Sequence, residues 1–236
     1  MNGPEVRPTV VWTALAPAMI LPLVAALGYF VILDGGTAAQ ILYAGGKAFV
    51  VAWPWIALRF VLRRPWPRFR VLDRGHGRAA AQGLGVGLLL VAALVLLMVT
   101  PLGGLVERSA PAIAGKADAL GIREHFWAFS IFLSLANSLL EEIYWRWFLF
   151  GNLRRLLPPW PAHLLAGAAF AAHHFVVALK FFPVPLGLAA GAAVGAGGVL
   201  WSRMMERQGS LAGAWVCHAV VDLGIMGIGY RLLLSS

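Results

Sequence analysis

The chain has 236 residues, of which 60% are hydrophobic and only 12% are charged. Soluble domains carry about 25% charged residues, so this composition excludes a disordered chain, a soluble Rossmann or barrel enzyme and a nucleic-acid-binding globule. The formal net charge of +9 therefore indicates membrane topology and contacts with the lipid bilayer, with no nucleic-acid partner. A single cysteine, Cys217, excludes an internal disulfide and any zinc site built on cysteines.

Seven stretches are apolar and long enough to cross the hydrocarbon core of a bilayer, which needs about 20 helical residues. In chain order they cover residues 10–33, 39–62, 79–100, 126–150, 162–179, 184–201 and 211–230. The first is too long for the core of a signal peptide, so we interpret it as a retained helix. The sequence predicts an all-α fold, a polytopic transmembrane helix bundle in which residues 1–236 form a single integral membrane domain.

The charges of the loops predict the orientation of the chain. The loop between the second and third spans contains one acidic residue, Asp73, and six arginines: Arg63, Arg64, Arg68, Arg70, Arg74 and Arg78. Arginine pairs also follow the fourth and sixth spans, whereas the charges in residues 101–125 are balanced. The positive-inside rule then predicts a cytoplasmic N-terminus and an external C-terminus. A basic chain rich in alanine and glycine is typical of a bacterial inner membrane protein.

Glycines recur every four residues in two of the spans, at Gly187, Gly191 and Gly195 and at Gly83 and Gly87. This spacing makes a smooth stripe on one helix face and allows the backbones of two helices to approach closely. We interpret the stripes as packing surfaces. Because a stripe can pack within one chain or between two copies, the sequence leaves the oligomeric state open.

Three spans concentrate ionisable side chains, each of which costs about 2.5–3.5 kcal/mol within a membrane and usually serves a function. In the fourth, fifth and seventh spans they are Glu141, Glu142, Arg146, His173, His174, His218 and Asp222. The other four spans contain few such residues, namely Lys47 and Arg59 in the second. This concentration is the strongest functional signal in the sequence.

Helical geometry separates the two adjacent glutamates. At 3.6 residues per turn, Glu142 and Arg146 share a face in the favourable acid-before-base order. Glu141 points about 100° away, on the face that contains Asn137 and Trp145. We therefore assign the Glu142–Arg146 pair to structure and electrostatic tuning, and Glu141 to chemistry.

The depths of Glu141, His174 and His218 in their helices are similar, with His174 somewhat deeper, so one cavity open to the cytoplasm can contain all three. A carboxylate and two imidazoles could activate a water molecule as general base or hold a metal ion. The same groups could relay protons in a proton-coupled transporter, although no paired halves are visible in the sequence. A non-catalytic membrane scaffold or immunity protein, in which these groups serve only as buried contacts, is the third hypothesis.

At these positions the sequence resembles the CAAX-endopeptidase and bacteriocin-processing (CPBP, or ABI) family of intramembrane proteases. The family motifs Glu-Glu-x-x-x-Arg, Phe-x-x-x-His and His-x-x-x-Asn/Asp match residues 141–146, 170–174 and 218–222. The second motif selects His174 over His173. Each motif is short, but all three occur in order within apolar spans. The resemblance covers residues 126–230, the catalytic core that it implies.

This resemblance implies an intramembrane endopeptidase that hydrolyses a peptide bond of a membrane-associated protein or peptide. Glu141 and His174 would activate the attacking water, and His218 with the residue at position 222 would stabilise the oxyanion. Better-known members have asparagine at that position, and an ionised Asp222 has no proton to donate. The aspartate would then orient His218, as second-shell carboxylates orient catalytic imidazoles.

Substrate binding and structural support would involve Glu142, Arg146, Asn137 and His173. Family members have been described both with and without a metal ion. Zinc would suit Glu141, His174 and His218 as ligands, yet no His-Glu-x-x-His signature occurs in the chain. We favour a metal-free, glutamic-type protease with a role in bacterial protein processing or in the removal of C-terminal sorting tags.

Overall fold

The computed structural model of the chain describes residues 7–33, 36–66 and 74–234. These ranges are almost entirely helical and contain no β-strand. Seven helices are long and apolar enough to cross a membrane, which confirms the predicted bundle and makes the chain a multi-pass integral membrane protein. The helices are α1 (Pro8–Ile32), α2 (Gly36–Val61), α3 (Arg74–Met98), α4 (Pro101–Glu107), α5 (Ala110–Ala119), α6 (Phe126–Leu153), α7 (Pro159–Phe181), α8 (Val184–Gln208) and α9 (Ala212–Leu234).

Helix α6 lies at the centre of the bundle, because α1 and α2 pack against it from the N-terminal half of the chain. Its aromatic residues Tyr144, Trp145 and Phe148 are almost completely buried. The hydroxyl of Tyr144 donates a hydrogen bond of 2.9 Å to the carbonyl of Ala18 in α1. Side chains on the face of α6 that carries Tyr144, Trp145 and Phe148 are therefore surrounded by protein.

Two further pairs of helices, α7 with α8 and α3 with α9, pack closely against each other at glycines. A Cβ added to Gly191 of α8 would overlap the ring of Phe175, and one added to Gly83 of α3 would overlap the carbonyl of Gly213. At Gly87 an added Cβ would lie 2.9 Å from the side chain of Val220. Both glycine stripes therefore pack within the chain, where small residues let two backbones approach closely.

The segment between the third and fourth spans, which the sequence predicts to be an external loop, folds into the short helices α4 and α5. Thr100 caps the start of α4, and its hydroxyl accepts a hydrogen bond of 3.3 Å from the backbone amide of Leu102. In α5, Ala114 and Ala117 pack beside Leu233 of α9. These alanines bury a small apolar face that is too short for a span-length hydropathy signal.

Helix α8 also differs from its predicted end at residue 201, because it continues to Gln208 and stops at Gly209. This glycine has a left-handed backbone with a φ of 61°, which residues with a side chain rarely adopt. Ion pairing supports the additional turns, since Arg154 Nε lies 2.5 Å from Glu206 Oε1. Hydropathy marks where the apolar part of a helix ends, but a polar extension can remain helical.

The cytoplasmic position of the N-terminus remains a prediction. Arg64 Nη1 donates a hydrogen bond of 2.7 Å to Asn152 Oδ1, which brings the end of α2 beside the end of α6. The two basic loops therefore lie at one end of the bundle, as the predicted topology requires. Part of the first loop lies outside the described residues: Arg68, Arg70, Asp73 and the side chain of Arg74.

Candidate active site

Helix α6 is not a uniform α-helix where it carries the two glutamates. Glu141 and Glu142 belong to a short α-helical stretch, Ser138–Glu142, between the π-helical segments Leu133–Asn137 and Ile143–Phe150. Insertions of π-helix are rare and frequent at functional sites, because they change the directions in which side chains point. The sequence periodicity of 3.6 does not reveal them.

Glu142 is the buried centre of a charge cluster and has no exposed side-chain surface. Its Oε1 lies 3.0 Å from Arg146 Nη1 and 2.8 Å from His218 Nδ1. The contact with Arg146 is an ion pair without the alignment of a hydrogen bond. The guanidinium of Arg146 also lies over the rings of Phe170 and Trp201, at 4.3 and 4.9 Å from their centroids. Glu142 thus joins a buried cation to an imidazole on another helix.

The imidazole of His218 is fixed in orientation by contacts on its ring face and at one nitrogen. A carboxylate only accepts hydrogen bonds, so His218 Nδ1 carries a proton and donates it to Glu142. The ring stacks on Trp201, with centroids 4.1 Å apart and planes at 15°. The opposite nitrogen, Nε2, lies 3.9 Å from Glu141 Oε2 and 3.6 Å from Asp222 Oδ1.

The carboxylate of Glu141 is anchored through one oxygen. Oε1 accepts a hydrogen bond of 2.9 Å from Asn137 Nδ2 and lies 3.9 Å from Lys47 Nζ. The ammonium of Lys47 in turn donates a hydrogen bond of 2.7 Å to Asn137 Oδ1. Sequence reasoning left Lys47 out of the site, and the signal that could have included it is a lysine in the middle of an apolar span.

The two adjacent histidines of α7 have different environments. His174 Nδ1 lies 2.9 Å from the carbonyl oxygen of Phe170, so this nitrogen carries the proton and Nε2 is the acceptor of the neutral ring. His174 also interacts electrostatically with Glu141. The ring of His173 lies parallel to Trp145 at 5.6 Å, and its Nδ1 has no hydrogen-bond partner among the described residues. Of the two histidines, His174 is the one whose Nδ1 is bonded to the backbone and whose Nε2 is available to accept a hydrogen bond.

The structure brings the predicted site residues together from three helices, α6, α7 and α9. The carboxylate within hydrogen-bond distance of His218 is that of Glu142, whereas the sequence interpretation gave the orienting contact to Asp222. The assembled set is Asn137, Glu141, Glu142, Arg146, His173, His174, His218 and Asp222. These side chains can bind a polar reactant only if the bundle admits water at this depth.

The donor set for zinc does not converge in this arrangement. Among the described residues, no group of three or more His, Cys, Asp or Glu side chains is placed to hold a metal ion. The Nδ1 atoms of His174 and His218 contact Phe170 and Glu142, so only the Nε2 atom of each ring could bind a metal ion. No step of the chemistry proposed for this site involves a metal ion.

A second buried histidine, His163, belongs to a separate cluster near the start of α7. Its Nδ1 lies 2.7 Å from Ser202 Oγ and its Nε2 lies 2.9 Å from Glu206 Oε2. The order Ser–His–Glu resembles that of a serine hydrolase, but Ser202 has no exposed surface and donates to the carbonyl of Val199 at 2.9 Å. A buried hydroxyl cannot reach a substrate, so this cluster serves to connect α7 with α8.

Comparison with known proteins relates part of the chain to a protein family. Residues 123–224 match the family model described as "Type II CAAX prenyl endopeptidase Rce1-like". No curated protein and no solved structure matches the chain. The matched segment contains all three sequence motifs and overlaps the predicted core, residues 126–230. Together with the seven apolar helices, the match supports a protease within the membrane that acts on a membrane-embedded peptide.

Proposed function

We propose that this chain, whose residues 123–224 match the family model "Type II CAAX prenyl endopeptidase Rce1-like", is a glutamic-type intramembrane endopeptidase. It hydrolyses a peptide bond of a membrane-associated protein or peptide. The observation that carries the proposal is the Glu141 carboxylate, anchored on one oxygen and facing the imidazole of His218 with the other. The family match favours this function over a proton-coupled transporter or a non-catalytic scaffold.

Glu141 acts as the general base. Its Oε1 is held by Asn137, so Oε2 is available to accept a proton from water. The distance of 3.9 Å between Oε2 and His218 Nε2 is too long for a direct hydrogen bond. Two hydrogen bonds of about 2.8 Å that meet near a right angle span about this distance, so a water molecule can bridge the pair. The acceptor nitrogen of His174 gives the water a third partner, which is its second hydrogen-bond acceptor.

In the first step the oxygen of this water bonds to the carbonyl carbon of the peptide, and its proton passes to Glu141. A positioned base of this kind contributes about 10²–10⁴-fold to the rate. The carbonyl oxygen becomes an oxyanion and needs a donor. In its protonated form His218 holds Glu142 through Nδ1–H and offers Nε2–H to the oxyanion. The low-dielectric surroundings strengthen such a hydrogen bond.

In the second step the intermediate collapses. The carbonyl double bond re-forms, the C–N bond breaks, and the proton held by Glu141 passes to the leaving amine. The products are an amine and a carboxylic acid, which then loses its remaining proton to water, and Glu141 returns to its ionised form. The Glu142–Arg146 pair keeps His218 in place throughout, because Glu142 Oε1 contacts both partners. Asp222 lies beside His218 Nε2 at 3.6 Å and adds to the polarity of the pocket.

We place this pocket on the cytoplasmic side of a bacterial inner membrane, in line with the arginine-rich loops. Protein processing or removal of a C-terminal sorting tag is the corresponding role. Glu141→Gln keeps the shape and the hydrogen bond from Asn137 but removes the base. Cells with this variant should accumulate uncleaved membrane proteins, which proteomics of protein termini in the membrane fraction would identify.

The matched control for that experiment is Gly45→Ala, because no atom lies within 4 Å of a Cβ added to Gly45. Termini should be the same in cells with wild-type protein and with this control. If cells with Glu141→Gln also show the same set of termini as the wild type, the proposed protease activity is wrong.

A further inference from the structure

Among the described residues, Lys47 is the one charged side chain at the site that comes from outside the family-matched segment. It belongs to α2, whereas the match begins at residue 123. A lysine within a membrane span is costly and needs polar partners. Lys47 has such partners, since its Nζ lies 2.7 Å from Asn137 Oδ1 and 3.9 Å from Glu141 Oε1. The first partner holds the proposed general base in place, and the second is that base itself.

We propose that Lys47 is a positioning residue of the protease, which fixes the amide of Asn137 and the carboxylate of Glu141 so that Glu141 Oε2 faces the reacting water. The inference rests on the proposed function and extends it to the N-terminal spans. An active site assembled in this way is complete only when α2 packs against α6.

The chemistry of the three groups determines how the contact works. An ammonium has only donors and a carboxylate has only acceptors. The amide of Asn137 between them must therefore turn its oxygen to Lys47 and its NH₂ to Glu141. Lys47 thus selects one of the two amide orientations, and that orientation supplies the donor that holds Glu141 Oε1.

The charge of Lys47 adds a second effect. Glu141 interacts electrostatically with Lys47 from α2, with Arg146 from α6, with His173 and His174 from α7, and with His218 and Asp222 from α9. Two of these side chains, Lys47 and Arg146, are permanently positive at neutral pH. Arg146 is paired with Glu142, whereas Lys47 lies 3.9 Å from Glu141 itself. An opposite charge at about 4 Å favours the ionised form of a carboxylate, which is the form that acts as base.

Exposure supports the same interpretation. The side chain of Lys47 is 43% exposed, whereas that of Glu141 is 12% exposed. An exposed ammonium at this depth of a bundle requires water or a polar ligand. Lys47 thus lies at the edge of the site, between the exposed surface of α2 and the nearly buried carboxylate of Glu141.

The test measures peptide cleavage by the full-length protein in liposomes. Lys47→Met removes the charge and the donor but keeps the length of the side chain. We expect kcat to fall about 10- to 100-fold, because the variant loses one charge-assisted hydrogen bond. KM should change by less than about twofold. We expect the acid limb of the pH–rate profile to move to higher pH by about one unit. Lys47→Arg should restore kcat to within about fivefold of the wild type.

Arg59→Met is the matched control, because Arg59 is an exposed cation of the same helix and touches none of the site residues described above. It should keep the wild-type kcat and pH profile. If Lys47→Met does not insert, Lys47→Gln keeps a donor for Asn137 without the charge. That variant should retain the melting temperature and show the shifted acid limb.

Wild-type kcat in Lys47→Met, or an Arg variant no more active than the Met variant, would overturn the inference. Glu141→Gln is measured in parallel to separate the two proposals. If Glu141→Gln is inactive and Lys47→Met is fully active, only the role of Lys47 fails. If Glu141→Gln is fully active, the proposed protease mechanism itself fails.

Discussion

Replacement of Arg146 by methionine tests the buried charge cluster that holds the site together. Only 1% of Arg146 is exposed, and Glu142 is completely buried. Arg146→Met leaves the charge of Glu142 without its cation, and breaking a buried pair in this way costs about 3–5 kcal/mol. For a protein of this size each kcal/mol lowers the melting temperature by about 2–4 °C. We therefore expect a decrease of about 6–20 °C.

The assay is thermal unfolding of the purified protein in detergent, followed by loss of helical circular dichroism. Arg207→Met is the control, because Arg207 is an exposed residue at the end of α8. A surface substitution of this kind changes stability by less than about 0.5 kcal/mol. The double variant Arg146→Met/Glu142→Gln should recover at least half of the loss, since no buried charge of the pair then remains. A melting temperature for Arg146→Met within about 2 °C of the wild type would refute the claim that the buried charge cluster stabilises the site.

Three further predictions concern packing, the seventh span and the cofactor. Gly191→Ala should lower stability by about 1–3 kcal/mol because its Cβ overlaps Phe175, whereas Gly45→Ala should raise it by up to about 1 kcal/mol; equal melting temperatures would contradict the packing of α7 on α8. Asp222→Asn should keep the cleavage rate within about tenfold of the wild type. Glu142, not Asp222, makes the contact with His218 Nδ1, and the amide of the new asparagine can donate a hydrogen bond. A loss above about 100-fold would show that the carboxylate charge of Asp222 is required. Treatment with a chelator should leave the cleavage rate unchanged, and activity that is lost and then restored by zinc would refute the metal-free mechanism.

Local helical geometry accounts for the parts of the site that could be predicted from the sequence. The four-residue spacing of Glu142 and Arg146 predicts their ion pair, which the structure contains at 3.0 Å. The same spacing places Asn137 beside Glu141, and their side chains are hydrogen-bonded at 2.9 Å. These contacts lie within one helix, so the order of the residues determines them.

Contacts between helices could not be predicted in the same way. Which face of α2 meets α6 depends on tertiary packing, so the sequence could not connect Lys47 with Glu141. The contact of Glu142 with His218 and the stacking of Trp201 on His218 likewise join residues that are far apart in the chain. Apolar spans have nearly uniform hydropathy, and this signal shows neither which helices are neighbours nor where π-helical turns interrupt them.

Cleavage by the purified protein in liposomes tests the central claim most directly, which is that Glu141 is the base of a hydrolytic site assembled from α6, α7 and α9. The substrate is a peptide whose terminus changes in cells with Glu141→Gln. We expect Glu141→Gln to reduce the cleavage rate by at least about 100-fold while the melting temperature stays close to that of the wild type. Cleavage at the wild-type rate by Glu141→Gln would contradict the claim.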